Sequence, residues 1–237
     1  MHIDNVIFLI LSKIAYTKFS EGPTYNTAEK GWTLSYWYLS PPEKKTNMVD
    51  KPAGDGVWDL STVLTDGIPI YQMRSLSVTL ERSDGTRESR EEAIRSIINQ
   101  LDGYTHKILG PDDAAHYLQG SVSVARLYND MAHASVSITG TVDPWLCAVE
   151  ETVIQLAPTQ LEQTENLVNS GRKVVVPVID VTGTGTVHLT YGTASRAVSA
   201  GTYLWPDLLL MPGESRLQYY ADGDAAVKIT YREAVLW

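Results

Sequence analysis

Asp112, Asp113 and His116, in the stretch GPDDAAHYLQG, are the residues whose types and spacing come nearest to an acid/base or metal site. The carboxylates that cleave glycosides face each other across a substrate, about 5–9 Å apart. Neighbours in sequence point in different directions, and an Asp pair after a proline is typical of a turn whose side chains accept backbone amide hydrogens. The sequence therefore favours a structural turn here.

The histidines and the cysteine do not have the spacing of a metal site. No His-x-x-x-His or comparable pattern occurs, and we expect surface or strand positions for the five histidines, which are His2, His106, His116, His133 and His188. Cys147 is the only cysteine, which excludes an intrachain disulfide, and its apolar neighbours predict a small core residue. We therefore predict no metal and no cofactor.

Two glycine-rich stretches are too incomplete to bind phosphate. TGTGT at Thr182–Thr186 lacks the lysine of a phosphate-binding loop and no helix follows it, so a β-turn is the better interpretation. The GDG at Gly54–Gly56 fails for the same reasons. Because no serine lies in a Gly-x-Ser-x-Gly elbow either, we predict that the chain is not an enzyme.

The aromatic residues allow a ligand-binding alternative. The chain has 6 Trp and 13 Tyr but only 2 Phe. Tyr and Trp on a β-sandwich can stack on sugar rings, and the candidates are Tyr191, Tyr203 and Trp205. Core or interface packing is the favoured alternative for Trp58, Trp205 and Trp237, because interfaces are enriched in the same residues.

Charge argues against binding to nucleic acid. The formal net charge is −9; residues 1–147 hold 13 basic and 18 acidic side chains, and residues 148–237 hold 6 and 10. Tight binding to DNA or RNA needs clustered Lys and Arg. The N-terminal VIFLILSKIAY is too short to cross a bilayer and lacks a basic flank, so we expect a buried strand or short helix and no membrane insertion.

Most of the chain alternates apolar and polar residues, which predicts strands. RSLSVTLERS reads as one strand, and GSVSVARLY and HASVSITGTV read as a hairpin that turns between Met131 and Ala134. Further strands are expected in TVIQLAP, KVVVPVIDVTG, TVHLTYG, GTYLWPDLLLMPG and AAVKITYREAVLW. The polar TQLEQTENLVNSG is expected to separate two strands.

One segment has helical periodicity. Apolar residues from Ala93 to Leu101 recur at spacings of one, three and four, which predicts an amphipathic helix near 88–101. Ser89 and Glu92 fit a capping box, and Glu91 and Arg95 fit an i,i+4 ion pair. Gly103 is expected to end the helix.

A composition change near DPWLCAVEET predicts a domain boundary. The predicted fold class is mainly β with an α+β N-terminal domain. Residues 1–147 would form a β-sandwich-like domain with the amphipathic helix, and residues 148–237 a second β-sandwich.

PPEKKTNMVDKPAGDGVWDLSTVLTDG closely resembles the N-terminal signature of the distal tail proteins of long, non-contractile-tailed bacteriophages. The matching residues that we single out are Pro41, Pro42, Lys45, Val49, Asp50, Pro52, Asp55, Gly56, Asp59 and Leu60. Ser61 also matches. Blocks such as SVSITGTVDPW and VVVPVIDVTGTGTVHLTYG are similar in character to later parts of the family, so the resemblance runs from about Tyr25 to Trp237.

The resemblance implies a virion structural protein at the distal end of the tail, assembled in the host cytoplasm. Family members form a hexameric ring between the tail tube and the tail-tip or baseplate hub. The N-terminal domains make the ring and the C-terminal domains are galectin-like sandwiches, akin to carbohydrate-binding modules. Implied partners are further copies of the chain, the tail tube protein, and hub, tape-measure or receptor-binding proteins, with DNA only passing through the lumen.

A Pro- and Gly-rich loop with fixed dihedral angles loses little entropy on docking. We therefore expect the signature segment to shape an assembly surface. The alternative function is a lectin-like module that contacts host saccharide.

Overall fold

The computed structural model describes residues 6–15, 18–52, 54–65 and 67–236. These residues form two compact units, one of residues up to Leu146 and one from Cys147 to Leu236. Strands predominate in both units, and the described residues contain one α-helix, which confirms the mainly β fold class.

The N-terminal unit is built around one antiparallel sheet with the strand order β2-β1-β7-β8-β9-β6-β3. A separate hairpin, β4–β5, and a 3-10 turn at Val63–Thr65 lie between β3 and β6 in the chain. The elements are β1 Ile7–Ala15, β2 Lys18–Asn26, β3 Thr33–Leu39, β4 Met48–Asp50, β5 Val57–Asp59, β6 Arg74–Arg82, α1 Arg87–Leu101, β7 Thr105–Leu109, β8 His116–Asn129 and β9 Ala134–Val142.

The seven-stranded sheet curls over itself. Its edge strands β2 and β3 are joined by only residues 27–32, which span at most about 24 Å from Asn26 to Thr33. In a flat sheet, strands six places apart would lie about 29 Å from each other. Trp37 of β3 accordingly packs beside Gly110, just after β7, where an added Cβ on the glycine would lie 3.0 Å from Cζ2 of the indole.

The helix begins one turn earlier than the capping pattern predicted. Thr86 is the N-cap residue and its side chain accepts from the Ser89 backbone N–H, so the predicted capping box of Ser89 and Glu92 is wrong. Gly103, with φ of +76°, follows the helix as expected, and its N–H donates to the Val122 carbonyl.

Helix α1 packs on β8 and β9. It buries Ile94, Ile97 and Leu101, which follow the predicted apolar stripe. Arg95 does attract the Glu91 carboxylate, as the i,i+4 spacing predicted, but the hydrogen bonds of that carboxylate go to β8: it accepts from Arg126 at 3.0 Å and from Asn129 at 2.9 Å. Packing of the helix on the sheet brings these β8 donors to Glu91, which sequence spacing along the helix could not indicate.

The C-terminal unit consists of two four-stranded antiparallel sheets, β11-β18-β13-β16 and β12-β17-β14-β15. Residues from both sheets form one apolar core, so the sheets pack face to face as a β-sandwich. The eight strands of the sandwich are β11 Thr152–Leu156, β12 Gln163–Asn169, β13 Val178–Gly183, β14 Thr186–Tyr191, β15 Ala194–Val198, β16 Gly201–Leu204, β17 Gly213–Asp222 and β18 Ala225–Tyr231. Two short strands outside these sheets, β10 Leu146–Ala148 and β19 Ala234–Val235, pair with each other.

The polar stretch TQLEQTENLVNSG was expected only to connect two strands, but residues Gln163–Asn169 within it form strand β12. It is an edge strand paired along its length with β17. Its outward side chains are polar because one face is solvated, while Leu167 is fully buried in the core and Asn169 is 1% exposed. The Asn169 side-chain amide donates to the carbonyls of Lys173 and Leu210, which satisfies this buried polar group.

Candidate functional site

The segment that carries the distal-tail-protein signature folds as a hairpin. Met48, Val49 and Asp50 of β4 pair with Asp59, Trp58 and Val57 of β5. The tip closes with Lys51 N–H donating to the Gly56 carbonyl at 3.3 Å, and the φ of +86° at Gly56 is a conformation that favours glycine.

Hydrogen bonds at the base of the hairpin use two of the signature residues. The Leu60 N–H donates to the Asn47 carbonyl, and the Ser61 hydroxyl accepts from the Asn47 N–H, both over 2.8 Å. The Asp59 carboxylate accepts from the Ser61 N–H at 2.9 Å. Bonds from the Ser61 side chain and backbone hold the pKa of Asp59 below its usual value.

A backbone clamp fixes the hairpin to the rest of the unit. The N–H of Lys45 donates to the carbonyl of Ile70, and the N–H of Gln72 donates to the carbonyl of Glu43, each over 2.8 Å. Tyr71, between these two, packs edge-on against Trp145 with ring centroids 5.4 Å apart. The hairpin is therefore held at its base while its strands project.

Large apolar side chains are exposed on and near the hairpin. The exposed set in this region is Met48, Val49, Val57, Trp58, Leu60, Val63, Ile70 and Met73. Because Val49 lies opposite Trp58 and Leu60 follows Trp58 by two residues, these three share one face of the hairpin. A clustered apolar surface of this kind marks an interaction site more often than isolated exposed residues do.

The structure brings the ten signature residues together on the hairpin and its approach. Pro42 is half-buried and the other nine are exposed, so they build surface and not core. Their role in assembly stays a prediction. The sequence analysis did not identify five further residues of this exposed apolar surface, namely Met48, Val57, Val63, Ile70 and Met73. They could have been noticed, because they are apolar residues in a Pro- and Gly-rich segment that lacks the alternation of a half-buried strand.

Asp113 performs the structural role that the sequence favoured. One carboxylate oxygen accepts from the N–H groups of Ala115 and His116 at 2.9 and 3.1 Å, and the other contacts Nδ1 of His116 at 2.8 Å. The carboxylate thus holds a turn before β8.

The histidines lie in different environments. His106 is a strand residue of β7, one of the two kinds of position expected, and it is fully buried. Its Nε2 lies 2.9 Å from the Leu101 carbonyl oxygen, and burial lowers its pKa. His188 contacts the Asp222 carboxylate at 2.9 Å and stacks on Tyr220. His2 lies outside the described residues. Among the residues that the structure describes, no three His, Cys, Asp or Glu side chains are grouped to hold a metal ion.

Tyr191, Tyr203 and Trp205, the candidates for sugar stacking, do not form an exposed aromatic surface. Trp205 is 3% exposed, so its assignment to sugar stacking is wrong; the indole lies in the core and Nε1 donates to Asp207 at 3.0 Å. The Tyr191 hydroxyl donates to the Leu209 carbonyl, and the Arg196 guanidinium lies over the Tyr203 ring. Trp237 lies outside the described residues.

The backbone amides of the glycine-rich stretch at residues 182–186 are used within the fold. Thr184 and Gly185 connect β13 and β14, which belong to different sheets, and both N–H groups donate to the Asp224 carbonyl. Those amides are not free to bind phosphate. Cys147 is half-buried and not a full core residue.

In the described parts of the chain, no helix combines the length and the apolar character needed to span a bilayer.

Comparison with solved structures shows which fold this is. The crystal structure of SPP1 Dit, described as a paradigm of the hub adsorption apparatus in phages that infect Gram-positive bacteria, matches with a TM-score of 0.61 and 12% identity. The match covers 95% of this chain and 98% of SPP1 Dit, so both units are included. The chain therefore has a Dit-like fold.

Two structures of the phage P2 baseplate in its activated conformation also match. The one with Ca has a TM-score of 0.41 at 8% identity, covering 95% of this chain and 97% of the matched chain. The one with Sr has a TM-score of 0.44 at 7% identity, covering 95% and 98%. No protein-family model and no curated protein matches the chain.

Proposed function

We propose that this chain is a virion structural protein that closes into a hexameric ring at the distal end of a bacteriophage tail. The observation that carries the proposal is the match to SPP1 Dit along nearly the whole length of both chains. A match of this extent takes in most of the ring-forming candidate, residues 1–147, and of the second domain, residues 148–237. For the second domain we propose a galectin-like sandwich fold that projects from the ring.

The exposed hairpin supports self-assembly. A two-stranded hairpin with three-residue strands is marginally stable by itself, so exposed apolar side chains on it are best explained by a partner surface that covers them. Trp58, which is 50% exposed, is the residue type that most often dominates the binding energy of an interface. In this proposal the ten signature residues shape that surface.

A ring of this kind would have a defined position in the tail and defined partners. The ring would join the tail tube to the tail-tip or baseplate hub, contact hub, tape-measure or receptor-binding proteins, and let DNA pass through its lumen. With a net charge of −9, the chain can line a lumen with few basic groups, so that passing DNA does not adhere. Neither a cofactor nor a catalytic step is part of the proposal.

The test is the mass and symmetry of the purified chain. We expect a concentration-dependent hexamer by light scattering and native mass spectrometry, and six subunits around an axis in negative-stain images. A double variant, Trp58→Ala with Leu60→Ala, is expected to weaken self-association at least 30-fold, because about 2 kcal/mol is typical for loss of one central interface residue.

The matched control removes equally exposed apolar groups elsewhere. Met131 and Leu161 are 88% and 78% exposed, and the double variant Met131→Ala with Leu161→Ala is expected to assemble like the natural chain. A strict monomer at all concentrations, or a ring of another symmetry, would contradict the proposal. A lumen lined with Lys and Arg would contradict its statement about DNA.

A further inference from the structure

The sheet β11-β18-β13-β16 of the C-terminal unit carries a row of four polar side chains on its outer face. Asp180 of β13 lies opposite both Thr202 of β16 and Lys228 of β18. On the other side of β18, Gln155 of β11 lies opposite Lys228. The residues that alternate with these four point into the core of the sandwich. The row therefore crosses all four strands at one level and spans about 14 Å.

An open groove lies along this row. Its volume is about 510 Å³, within the range of about 300–1,000 Å³ that is usual for small-ligand sites. Small side chains form its floor, because Ala226 lies opposite Thr182 and Ala157 follows the end of β11. The polar lining consists of Gln155, Asp180, Thr182 and Lys228.

The two charged groups of the groove do not neutralise each other. Asp180 and Lys228 lie on neighbouring strands, yet among the described residues the Lys228 ammonium takes part in no ion pair. The Thr202 hydroxyl donates to Oδ1 of Asp180 at 2.5 Å, which orients the carboxylate and leaves Oδ2 for a ligand. The side chain of Gln155 likewise has no partner within the described chain. A carboxylate, an ammonium and an amide are thus available side by side.

The outer face of the other sheet is arranged differently. There His188 contacts the Asp222 carboxylate and stacks on Tyr220. The hydroxyl oxygens of Thr190 and Ser195 lie 3.0 Å apart. These polar groups satisfy one another, whereas polar groups without a protein partner bond to water. A ligand that displaces this water from the groove must therefore offer equivalent hydrogen bonds.

The chemistry of the row favours an uncharged ligand with several hydroxyl groups. One carboxylate beside one ammonium disfavours polyanions and polycations alike. Asp180 only accepts hydrogen bonds, Lys228 only donates them, and the Gln155 amide does both. A hydroxyl group also does both, so neighbouring hydroxyls on one ring can bond to all three side chains. The C–H groups of such a ring suit the small apolar floor.

We propose that this groove binds a neutral saccharide, with neighbouring hydroxyl groups of one sugar held between Asp180 and Lys228 and a further hydroxyl bound by Gln155. The sugar ring lies over Ala226. This gives the C-terminal domain a ligand and goes beyond the proposed ring. The groove is formed by that domain alone, so the inference holds whether or not the ring assembles.

A screen with the full chain tests the ligand class. The probes are an array of defined neutral, acidic and amino-sugar oligosaccharides, and hits are measured in solution by saturation-transfer NMR and titration. We expect at least one neutral oligosaccharide to bind, and to stay bound in about 0.5 M sodium chloride, because its contacts do not depend on net charge. The double variant Gln155→Ala with Lys228→Ala should weaken binding at least tenfold, since a hydrogen bond to a charged group is typically worth about that factor.

A second variant tests the floor of the groove. Ala226→Leu fills it without removing a polar group and should abolish binding. The matched control is Asn166→Ala with Arg216→Ala on the outer face of the other sheet, where an amide of β12 also lies opposite a cation of β17. This control should bind like the natural chain, and thermal unfolding checks that all variants are folded.

Three results would overturn the proposal. The first is that no neutral oligosaccharide binds. The second is that binding is confined to acidic or basic glycans and is lost in salt. The third is that the two double variants lose equal affinity. Light scattering reports assembly of the ring independently, so failure of the saccharide site is distinguishable from failure of the proposed function.

Discussion

The indole Nε1 of Trp32 donates a hydrogen bond to the hydroxyl oxygen of Tyr25 over 3.1 Å, and each side chain is 2% exposed. Tyr25 lies near the end of β2 and Trp32 immediately precedes β3, so the bond joins the two edge strands of the sheet at the end where the sheet closes. Burial raises the pKa of Tyr25 to about 12, although the bond from Trp32 lowers it in part.

Alkaline pH should therefore destabilise the fold. Below pH 10 the folded and unfolded chains both keep the Tyr25 proton; between about 10 and 12 only the folded chain keeps it, so the free energy of unfolding falls as pH rises. Two pKa units correspond to at most about 2.7 kcal/mol. Urea unfolding between pH 9 and 11.5 measures the fall, which Tyr25→Phe should reduce.

The Tyr25→Phe result has two controls. Burial also raises the pKa of Tyr219 and Tyr231, so a smaller alkaline slope should remain in the variant. The same substitution at Tyr36, which is 50% exposed, controls for the loss of a hydroxyl as such. An alkaline slope unchanged by Tyr25→Phe would rule out this assignment.

Acidic pH should destabilise the fold through His106. Burial lowers the pKa of this ring in the folded chain, while the unfolded chain takes up a proton near pH 6.5. The unfolded state then binds more protons, so the free energy of unfolding decreases as pH falls below about 6.5 and stops decreasing below the folded pKa. Denaturant unfolding from pH 7.5 to 4.5 should show this decrease, and it should be smaller in His106→Asn.

Loss of the Leu101 contact will lower the stability of His106→Asn at every pH, so the informative quantity is the slope and not the absolute value. His133→Asn, at an exposed position, is the matched variant. If His106→Asn and the natural chain keep parallel curves, His106 is not responsible for the acid sensitivity.

The position of the helix cap can be tested by paired substitutions. Thr86→Ala removes the side chain that accepts from the Ser89 N–H and should lower the free energy of unfolding by about 1 kcal/mol. Ser89→Ala removes a hydroxyl that donates to the Thr86 carbonyl and should cost less. Thermal or urea unfolding measures both effects. If Ser89→Ala lowers the free energy of unfolding more than Thr86→Ala does, Ser89 is the N-cap residue, as the sequence pattern indicated.

Gly120 should not tolerate a side chain. A Cβ there would lie 2.5 Å from Cα of Val142 and would also meet the Thr141 carbonyl oxygen, so the β8–β9 pairing would have to shift. We expect Gly120→Ala to lower the free energy of unfolding by about 3 kcal/mol, at the upper end of overpacking effects. Gly54→Ala, whose nearest neighbour would be 3.7 Å away, should be close to neutral, and equal effects would disprove the argument.

Sequence periodicity predicted the elements in which one face is buried along the whole length. Leu76, Val78 and Leu80 of β6 are 2%, 0% and 0% exposed, and the β8–β9 hairpin turns where the pattern indicated. Strand β12 was missed because it is a solvated edge whose burial is concentrated in Leu167 and Asn169. Alternation is weak where a strand contributes so few core residues.

The segment of residues 41–61 was singled out through its family signature, as a Pro- and Gly-rich loop, and its pairing as a hairpin became visible only in three dimensions. Trp37 and Gly110 are far apart in the chain and four strands apart in the sheet order, and only the curl brings them into contact. The full burial of His106 within β7 was likewise not foreseen, because a single histidine between Thr105 and Lys107 gives no sign of the face on which it lies. Local patterns do not encode the curvature of a sheet.

The division of the chain at Leu146 has a consequence for synthesis. Every strand from β1 to β9, and the helix, lies before that residue, so the ribosome delivers the complete set before it begins the second sandwich. Domains of this kind fold as they emerge, at translation rates of about 5–20 residues per second. We therefore expect the hairpin to be displayed on nascent chains, where neighbouring ribosomes on one messenger hold several copies close enough to meet before any of them is finished.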